Sequence, residues 1–348
     1  MKRNIILIVF AALQTILISC NSNPIESSSK PGRRDYVWTT DTIKIPFSYL
    51  FKMWGSSPVD VWAVGQGGGL DQTIWHFDGT NWKTDGISRR ISPVSIYGFS
   101  SNDIWLGGNS GLIWHYNGFD WEEKLSLTPL STWGYSSFYV VYGNSSNDLY
   151  AAGFVDSTRI SQEEVGIIFH YDGFDWKRLN IAVKGMHFLQ MRKSTHDSNY
   201  YLLGSTINAD WSDSAKLFSF DGKNLKEIYQ GLFNNYRGAG LELINNKVYF
   251  GIDSGVYTYD GSKFNLQFSV NNSNFTQGVA GRNEKDIFLS MWDGIAHYNG
   301  TDIEYIIKDS NLSYSDMLVF DKELFVLCTD KNNGDTIIKR GKLIISGG

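Results

Sequence analysis

The chain has 348 residues, of which 15% are aromatic and only 19% are charged. That composition is too apolar and too aromatic for a disordered chain. The net charge of −5 and the lack of a basic block disfavour binding to nucleic acid or to an anionic membrane surface.

The N-terminal segment has the pattern of an export signal. Lys2 and Arg3 precede an apolar run over 5–18 that is too short for a membrane-spanning helix. The run ends in the sequence LISC, which resembles the lipobox of bacterial lipoproteins. The resemblance implies cleavage before Cys20 and diacylation of its thiol, and more than one acyl chain anchors a protein stably. An ordinary signal peptide with an incidental cysteine is the open alternative.

The segment after the cysteine is polar and serine-rich, which favours a flexible tether. Asn21 stands where an aspartate would resemble an inner-membrane retention signal, so we expect the outer membrane, on either its periplasmic or its external face. The sequence therefore divides into a signal peptide (1–19), a lipid-anchored tether (20–35) and a folded domain (36–348). Membrane contact is expected through the lipid alone.

The folded domain contains six copies of one repeat. The four strong copies span 53–82, 96–121, 141–176 and 279–303, and two weaker copies span 200–225 and 247–264. In every copy, two pattern positions are six residues apart, as in His76 and Trp82. A fixed offset in six copies indicates a structural repeat.

Each copy is predicted to form four short strands. In the second copy these are 94–99, 103–107, 112–116 and 119–125, with a two-residue turn at Asn117-Gly118. Four meandering, aromatic-rich strands per repeat predict an all-β fold, a β-propeller. No helical periodicity of useful length is present.

The two ends of the domain predict how the ring closes. The last unit, 315–345, lacks a fourth strand, whereas the segment 35–41 resembles the fourth strand at 119–124. We expect the N-terminal strand to complete the last blade, which removes two exposed sheet edges. Six complete blades and one composite blade give seven, and 313 residues divided by seven is about 45 per blade.

The motif WGSS-x-x-DVWAVG, followed by HYDG and a tryptophan, resembles the repeat of secreted bacterial propeller proteins. Many of these are lipoproteins of myxobacteria and of relatives of the Bacteroidetes. More distantly, the pattern is similar to propellers of periplasmic sensor kinases and of photosystem assembly factors. These resemblances imply a binding or assembly role, and no catalytic residue can be carried over from them.

Most chemically suggestive residues occupy repeat positions, so they fall in separate blades and are expected to be structural. His76, His115, His170 and His297 share one position. Asp60, Asp103, Asp148 and Asp286 share another and are expected to cap backbone N–H groups of a turn. Trp62, Trp105, Trp82, Trp121 and Trp176 are expected to pack between blades.

Three further features have both a chemical and a structural interpretation. The glycine-rich segment 65–69 is similar to a phosphate loop, but it lacks the following Lys-Ser/Thr and a helix, which favours a flexible inter-strand loop. Segment 330–335 is similar to a calcium loop, but the glycine is misplaced, which favours a hairpin turn. Cys328 lies in an apolar run and is predicted to be a buried free thiol.

The departures from the repeat carry the functional prediction. Three long connections, 126–136, 155–164 and 206–214, are expected on one face of the propeller. They carry Trp133, Arg159, Glu163, Glu164, Asp210, Trp211 and Asp213. Of these, Trp133, Arg159, Asp210, Trp211 and Asp213 are the predicted partner-binding residues, and solvated loop decoration is the alternative.

Together these observations predict a monomeric, non-catalytic, exported lipoprotein that binds an envelope protein or glycan. No catalytic residue, cofactor or metal is assigned. The alternative is a secreted carbohydrate-active enzyme with a propeller fold, a glycosidase or a lyase. It would need two acids, or a histidine and an acid, to converge at the mouth of the central channel.

Overall fold

The computed structural model describes residues 30–45, 48–67, 69–127, 135–156, 164–206, 214–232 and 239–344. These residues form 28 strands in seven four-stranded antiparallel sheets, which are the blades of a ring. The predicted all-β, seven-bladed β-propeller is therefore confirmed. No helix in this part of the chain is long and apolar enough to cross a membrane.

Blades 1 to 3 are each formed by four consecutive strands. Blade 1 contains β2 (Ser48–Ser57), β3 (Asp60–Gly67), β4 (Ile74–Phe77) and β5 (Trp82–Lys83). Blade 2 contains β6 (Pro93–Ser100), β7 (Asp103–Gly108), β8 (Leu112–Tyr116) and β9 (Trp121–Ser126). Blade 3 contains β10 (Tyr135–Ser145), β11 (Asp148–Asp156), β12 (Glu164–Tyr171) and β13 (Trp176–Lys184).

Blades 4 to 6 follow the same order, and blade 7 is composite. Blade 4 contains β14 (Met186–Lys193), β15 (Tyr200–Thr206), β16 (Ser214–Phe220) and β17 (Leu225–Leu232). Blade 5 contains β18 (Ala239–Ile244), β19 (Lys247–Ile252), β20 (Gly255–Tyr259) and β21 (Phe264–Ser269). Blade 6 contains β22 (Phe275–Asn283), β23 (Asp286–Met291), β24 (Gly294–Tyr298) and β25 (Ile303–Lys308). Blade 7 contains β26 (Leu312–Val319), β27 (Glu323–Asp330), β28 (Thr336–Leu343) and β1 (Tyr36–Ile43).

The N-terminal strand closes the ring, as predicted. β1 pairs antiparallel with β28 along its full length, from Tyr36 opposite Leu343 to Ile43 opposite Thr336. Trp38 packs on Gly341, where an added Cβ would lie only 2.9 Å from the indole ring. The first and last segments of the domain are therefore held in one sheet, which leaves no unpaired fourth-strand position in blade 7.

The third-to-fourth turn is longer than predicted. In blade 2, Tyr116 pairs with Trp121, so the connection has four residues, 117–120, and the predicted two-residue turn is wrong. Oδ1 of Asn117 accepts the N–H groups of Phe119 and Asp120, both at 2.9 Å. Gly118 has a φ of +95°, a conformation that glycine adopts at little cost.

The glycine-rich segment 65–69 begins within strand β3 and not in a loop. Gly65 and Gln66 belong to β3, where they pair with Leu50 and Tyr49 of β2. A Cβ at Gly65 would lie 1.8 Å from the carbonyl oxygen of Tyr49. Glycine is needed there because two backbones approach closely, so the predicted inter-strand loop is wrong for these residues.

The core lies between the blades, and the repeated tryptophans form much of it. Trp62 of blade 1 meets Trp121 of blade 2 edge-on, with ring centroids 5.8 Å apart, and Trp105 meets Trp176 of blade 3 in the same way. The predicted inter-blade packing is confirmed for these pairs. Cys328 is a buried free thiol, as predicted, and burial raises its pKa to about 12.

The meander gives the propeller two different faces. First-to-second and third-to-fourth connections lie on one face, which we name the turn face. Second-to-third and fourth-to-first connections lie on the other, the loop face. The innermost strands β2, β6, β10, β14, β18, β22 and β26 surround a central channel that joins the two faces.

Candidate binding site at the central channel

The channel contains a cavity with two overlapping parts of about 310 and 320 Å³. Each innermost strand contributes to its wall, through Lys52, Ser95, Tyr139, Gln190, Glu242, Ala280 and Asp316 among others. The wall therefore mixes charged, amide, hydroxyl and apolar groups. A concave site with a few fixed polar groups is typical of a ligand site.

Register shifts at similar heights of several inner strands place some of these polar groups. The pairing of β2 with β3 shifts between Leu50 and Lys52, and that of β26 with β27 shifts between Tyr314 and Asp316. A third shift precedes Gln190 in β14. A β-bulge re-aims the side chain that follows it, which brings polar residues to the channel wall.

The channel charges are paired with one another. The guanidinium group of Arg192 donates to both carboxylate oxygens of Glu242, at 2.6 and 2.8 Å. Burial opposes its charge, but the attraction of Glu242 outweighs that effect and raises the pKa of Arg192. Lys52 Nζ lies 3.7 Å from Asp316 Oδ1, and Asp316 Oδ2 accepts the N–H of Met53 at 2.8 Å.

These two ion pairs make the charged part of the wall neutral overall. Such a wall offers hydrogen bonds and apolar contacts, but it does not concentrate anions or cations as a single-sign cleft would. The arrangement therefore suits a polar, uncharged ligand or a chain segment with both donors and acceptors.

A histidine and two acids meet beside the channel, near the loop face. His187 Nε2 lies 2.8 Å from Glu164 Oε2, and the imidazole stacks on Phe154 at a centroid distance of 3.6 Å. Glu164 stands opposite Asp156 at the end of the β11–β12 hairpin where the two strands are connected. All three polar side chains are buried, and Tyr139, which lines the channel, lies next to the imidazole.

This cluster has unusual proton affinities. Burial, with a contribution from the charge of Asp156, raises the pKa of Glu164 to about 7. Burial lowers the pKa of His187 to about 4. At neutral pH the imidazole is therefore uncharged, and the Glu164 carboxyl exchanges its proton near that pH.

Sequence reasoning named Glu164 only as a loop carboxylate and missed its contact with His187. His187 lies outside the repeated HYDG motif, and that motif was the only sequence pattern that marked histidines. The structure therefore brings an acid pair and a histidine together at positions outside the repeat. In the described part of the chain, no group of three or more His, Cys, Asp or Glu side chains could hold a metal ion.

The predicted binding residues Trp133, Arg159, Asp210, Trp211 and Asp213 lie outside the described residues, as does Cys20. The strands that flank the three long connections are described. β9, β11 and β15 all end at the loop face, so the connections start from one face in blades 2 to 4, which is what the meander requires.

The repeated histidines and aspartates pair within each blade. Nε2 of His76, His115, His170 and His297 lies 2.7–2.8 Å from Asp60, Asp103, Asp148 and Asp286, respectively. The predicted capping role of these aspartates is wrong. The first residue of the turn performs it, as Ser100 Oγ accepts the N–H of Asn102 and Asn283 Oδ1 accepts that of Lys285.

Segment 330–335 is the predicted hairpin turn. It joins β27 to β28, with the N–H of Gly334 donating to the carbonyl oxygen of Asp330 at 2.8 Å. Gly334 has a φ of +79°. Oδ1 of Asp330 accepts the N–H of Asn332 within the same turn at 2.8 Å, so this carboxylate oxygen already has a local donor.

No protein-family model matches the sequence, and no curated protein is similar to it. Solved structures are similar in fold. A structure of YCF48 bound to a D1 peptide has a TM-score of 0.59 and 15% identity, over 91% of this chain and 100% of that one. YCF48 from Cyanidioschyzon merolae has a TM-score of 0.57 and 14% identity, over 86% and 98% of the two chains. The WD40 propeller domain of Doa1 has a TM-score of 0.54 and 11% identity, over 89% and 98%. At these identities the likeness shows the propeller fold alone.

Proposed function

We propose that this chain is an exported, lipid-anchored, non-catalytic β-propeller that binds a protein or a glycan of the cell envelope through its loop face. The repeat family suggested by the WGSS-x-x-DVWAVG motif, with its many lipoproteins, agrees with this proposal. So does YCF48, a propeller of the same fold whose solved structure is of a complex with a D1 peptide.

The observation that carries the proposal is the variation in length of the loop-face connections, compared with the constant third-to-fourth turns of the turn face. The six third-to-fourth turns within blades 1 to 6 all have four residues: 78–81, 117–120, 172–175, 221–224, 260–263 and 299–302. On the loop face, β13 and β14 are joined by Gly185 alone, whereas residues 84–92 join β5 to β6. Variation confined to connections is typical of a recognition surface on a constant scaffold.

The experiment is recovery of a partner from envelope membranes with the tagged full-length chain. Trp133→Ala and Trp211→Ala should weaken recovery strongly and leave thermal unfolding unchanged, since tryptophan is a frequent hot-spot residue. Trp292→Ala is the matched control, because Trp292 is a 41% exposed tryptophan of the loop face in blade 6, outside the long connections.

A second control separates binding from folding. Trp121 is buried between Trp62 and Tyr116, so Trp121→Ala should lower the free energy of unfolding by about 3–5 kcal/mol. Undiminished recovery with both Trp133→Ala and Trp211→Ala, or unfolding of either variant, would contradict the proposed location of the site.

The acid cluster favours a second candidate, a secreted carbohydrate-active enzyme. Asp156 and Glu164 face each other with His187 alongside, and Glu164 holds a proton near neutral pH. Glycoside hydrolysis uses one acid of raised pKa and one carboxylate. Hydrolysis or eliminative cleavage of a polysaccharide panel that is lost in both Glu164→Gln and Asp156→Asn would support this candidate and overturn the non-catalytic one.

A further inference from the structure

Two phenylalanines project from the turn face. Phe119 and Phe174 are each 89% exposed, more than any other large apolar side chain among the described residues. Each is the third residue of a third-to-fourth turn, Phe119 in blade 2 and Phe174 in blade 3. Blades 2 and 3, which are adjacent, therefore each expose a phenyl ring at the equivalent position of the turn face.

Folding does not require phenylalanine at this position. The equivalent residues in blades 1, 4, 5 and 6 are Thr80, Lys223, Ser262 and Thr301. The backbone N–H makes the same bond whichever side chain is present. That of Phe119 donates to Asn117 at 2.9 Å, and that of Thr80 donates to Asp78 at 3.0 Å. The phenyl rings are thus free of any role in the turn.

The N-terminal tether leaves the propeller on the same face. Gly32 donates its N–H to the carbonyl oxygen of Lys285 at 2.7 Å, and Arg34 forms a 2.6 Å ion pair with Asp302. Lys285 and Asp302 belong to the two turn-face connections of blade 6. The described chain therefore begins on the turn face, beside blade 6.

The tether and the phenylalanines lie on opposite sides of the ring. Blades 7 and 1 separate blade 6 from blade 2, and blades 5 and 4 separate it from blade 3. Lys30 is ten residues after Cys20, and a chain of that length can span at most about 35 Å. A lipid on Cys20 would hold the start of the described chain, on the turn face beside blade 6, within that distance of the bilayer.

We propose that the turn face lies on the membrane that holds the Cys20 lipid, with Phe119 and Phe174 inserted among the lipid headgroups. The inference rests on the proposed lipid anchor and adds a second contact to it. The two rings contact the membrane on one side of the turn face, and the anchor beside blade 6 holds the opposite side within the reach of the tether. The loop face then points away from the membrane, toward a partner.

The charges around the rings select the kind of bilayer. Asp120 and Asp175, each next to a phenylalanine, are exposed, and Lys177 is paired with Asp172 at 2.5 Å. Acidic neighbours oppose an anionic surface, so the fit is to zwitterionic headgroups, with apolar contact as the driving force. Binding should accordingly change little with salt.

The test places an environment-sensitive dye beside each ring in the acylated full-length protein, in phosphatidylcholine vesicles that contain a lipid-attached quencher. The dye is attached at Asp120→Cys or Asp175→Cys, which leaves both phenylalanines in place. Only the new thiol reacts, because the lipid occupies Cys20 and Cys328 is buried. Trp292→Cys, on the loop face, is the control position.

We expect quenching at 120 and 175 to be several-fold stronger than at 292. Phe119→Thr with Phe174→Thr should reduce it to the control level, with thermal unfolding unchanged, since blades 1 and 6 carry threonine at this position. A second arm holds the Cys20→Ser chain on nickel-chelating vesicles through an N-terminal histidine tag, so that the face is tested even if Cys20 is not acylated.

Equal quenching at all three positions in both arms would overturn the proposal. Shielding of the dye at 120 and 175 in native membranes but not in protein-free vesicles would also overturn it, and would assign the rings to a protein partner. Failure of the wild-type chain to acquire a lipid, with strong quenching in the tagged arm, would refute the anchor and sustain the membrane-facing surface.

Discussion

His187 Nε2 lies 2.8 Å from Oε2 of Glu164, and the two residues belong to neighbouring blades. The imidazole is neutral at pH 7 because burial lowers its pKa to about 4. The carboxyl pKa is raised to about 7 by burial, with a contribution from the charge of Asp156. Protonation of Glu164 therefore links the interface between blades 3 and 4 to the pH of the medium.

The pH dependence of stability follows from the two shifts. The raised pKa of Glu164 contributes stability that is fully present below about 4.5, its usual value, and is lost as the pH rises through 7. The lowered pKa of His187 contributes stability that is present above 6.5 and lost as the pH falls through 4. Between pH 4.5 and pH 6.5 the two effects oppose each other. Above pH 6.5 the loss at Glu164 dominates, so the melting temperature should decline from pH 6.5 to pH 8.

Glu164→Gln should flatten this decline, because an amide has no proton to lose. The measurement is the melting temperature of both proteins from pH 6 to 8, with Glu304→Gln, an exposed residue of β25, as the control. A wild-type melting temperature that rises over this range, or an equal decline in Glu164→Gln, would show that the cluster does not carry the effect.

Asp103 is expected to be a stability centre of blade 2. Its carboxylate accepts from His115 Nε2 at 2.8 Å, from Trp105 Nε1 at 2.9 Å and from Ser146 Oγ in the next blade. Asp103→Ala leaves these donors without their partner. Only Trp105 is buried, and a buried unsatisfied donor costs about 1–3 kcal/mol, whereas the exposed Ser146 can bind water instead. We expect the free energy of unfolding in urea to fall by about 1–3 kcal/mol.

Two substitutions bracket that effect. Ser146→Ala removes only the contact between blades and should cost about 1 kcal/mol. Asp120→Ala changes an exposed acid of the same blade and should leave the unfolding midpoint within error. If Asp103→Ala were no less stable than Asp120→Ala, the hydrogen bonds at Asp103 would not contribute to folding.

The repeat made the fold predictable, because its information is local. A fixed offset such as that from His115 to Trp121 places a third strand, a turn and a fourth strand whatever the other blades contain. The similarity of 35–41 to 119–124 predicted ring closure in the same way. The channel wall was not predictable, since the register shift that precedes Lys52 arises from the packing of strands against each other.

The Glu164–His187 contact was hidden for a related reason. The two residues are 23 positions apart and come from different blades, outside the repeated motif. A propeller brings such residues together only where the inner strand of one blade passes the second-to-third connection of the previous blade. Neither the residue types nor their spacing in the sequence indicates where an inner strand passes that connection.

Ring closure by β1 gives the third prediction. Deletion of 36–44 removes all eight residue pairs between β1 and β28 and exposes the edge of blade 7. A propeller whose ends are not joined loses its cooperative constraint and presents a template for strand addition. We expect aggregation or a large fall in melting temperature, measured by light scattering during a thermal scan.

The control for that deletion is removal of 22–29, which leaves β1 and its pairs intact. That variant should melt like the wild type. A soluble 36–44 deletion with an unchanged melting temperature would show that blade 7 is stable with three strands.

The fourth prediction concerns the anchor at Cys20. If its thiol carries the lipid, Cys20→Ser should either leave the leader uncleaved or release the chain from the membrane fraction into the soluble one. The reason is that, without acyl chains, only the two phenyl rings proposed for the turn face remain as membrane contacts, and a single weak signal binds a bilayer only marginally. The measurements are the mass of the N-terminal peptide and the distribution of the protein between membrane and soluble fractions.

Cys328→Ser is the control, because that thiol is buried in blade 7 and its replacement should leave both measurements unchanged. Normal processing of Cys20→Ser with full membrane retention would refute the lipid anchor. A chain that is retained only while Phe119 and Phe174 are present would instead show that the turn face alone is sufficient for membrane binding.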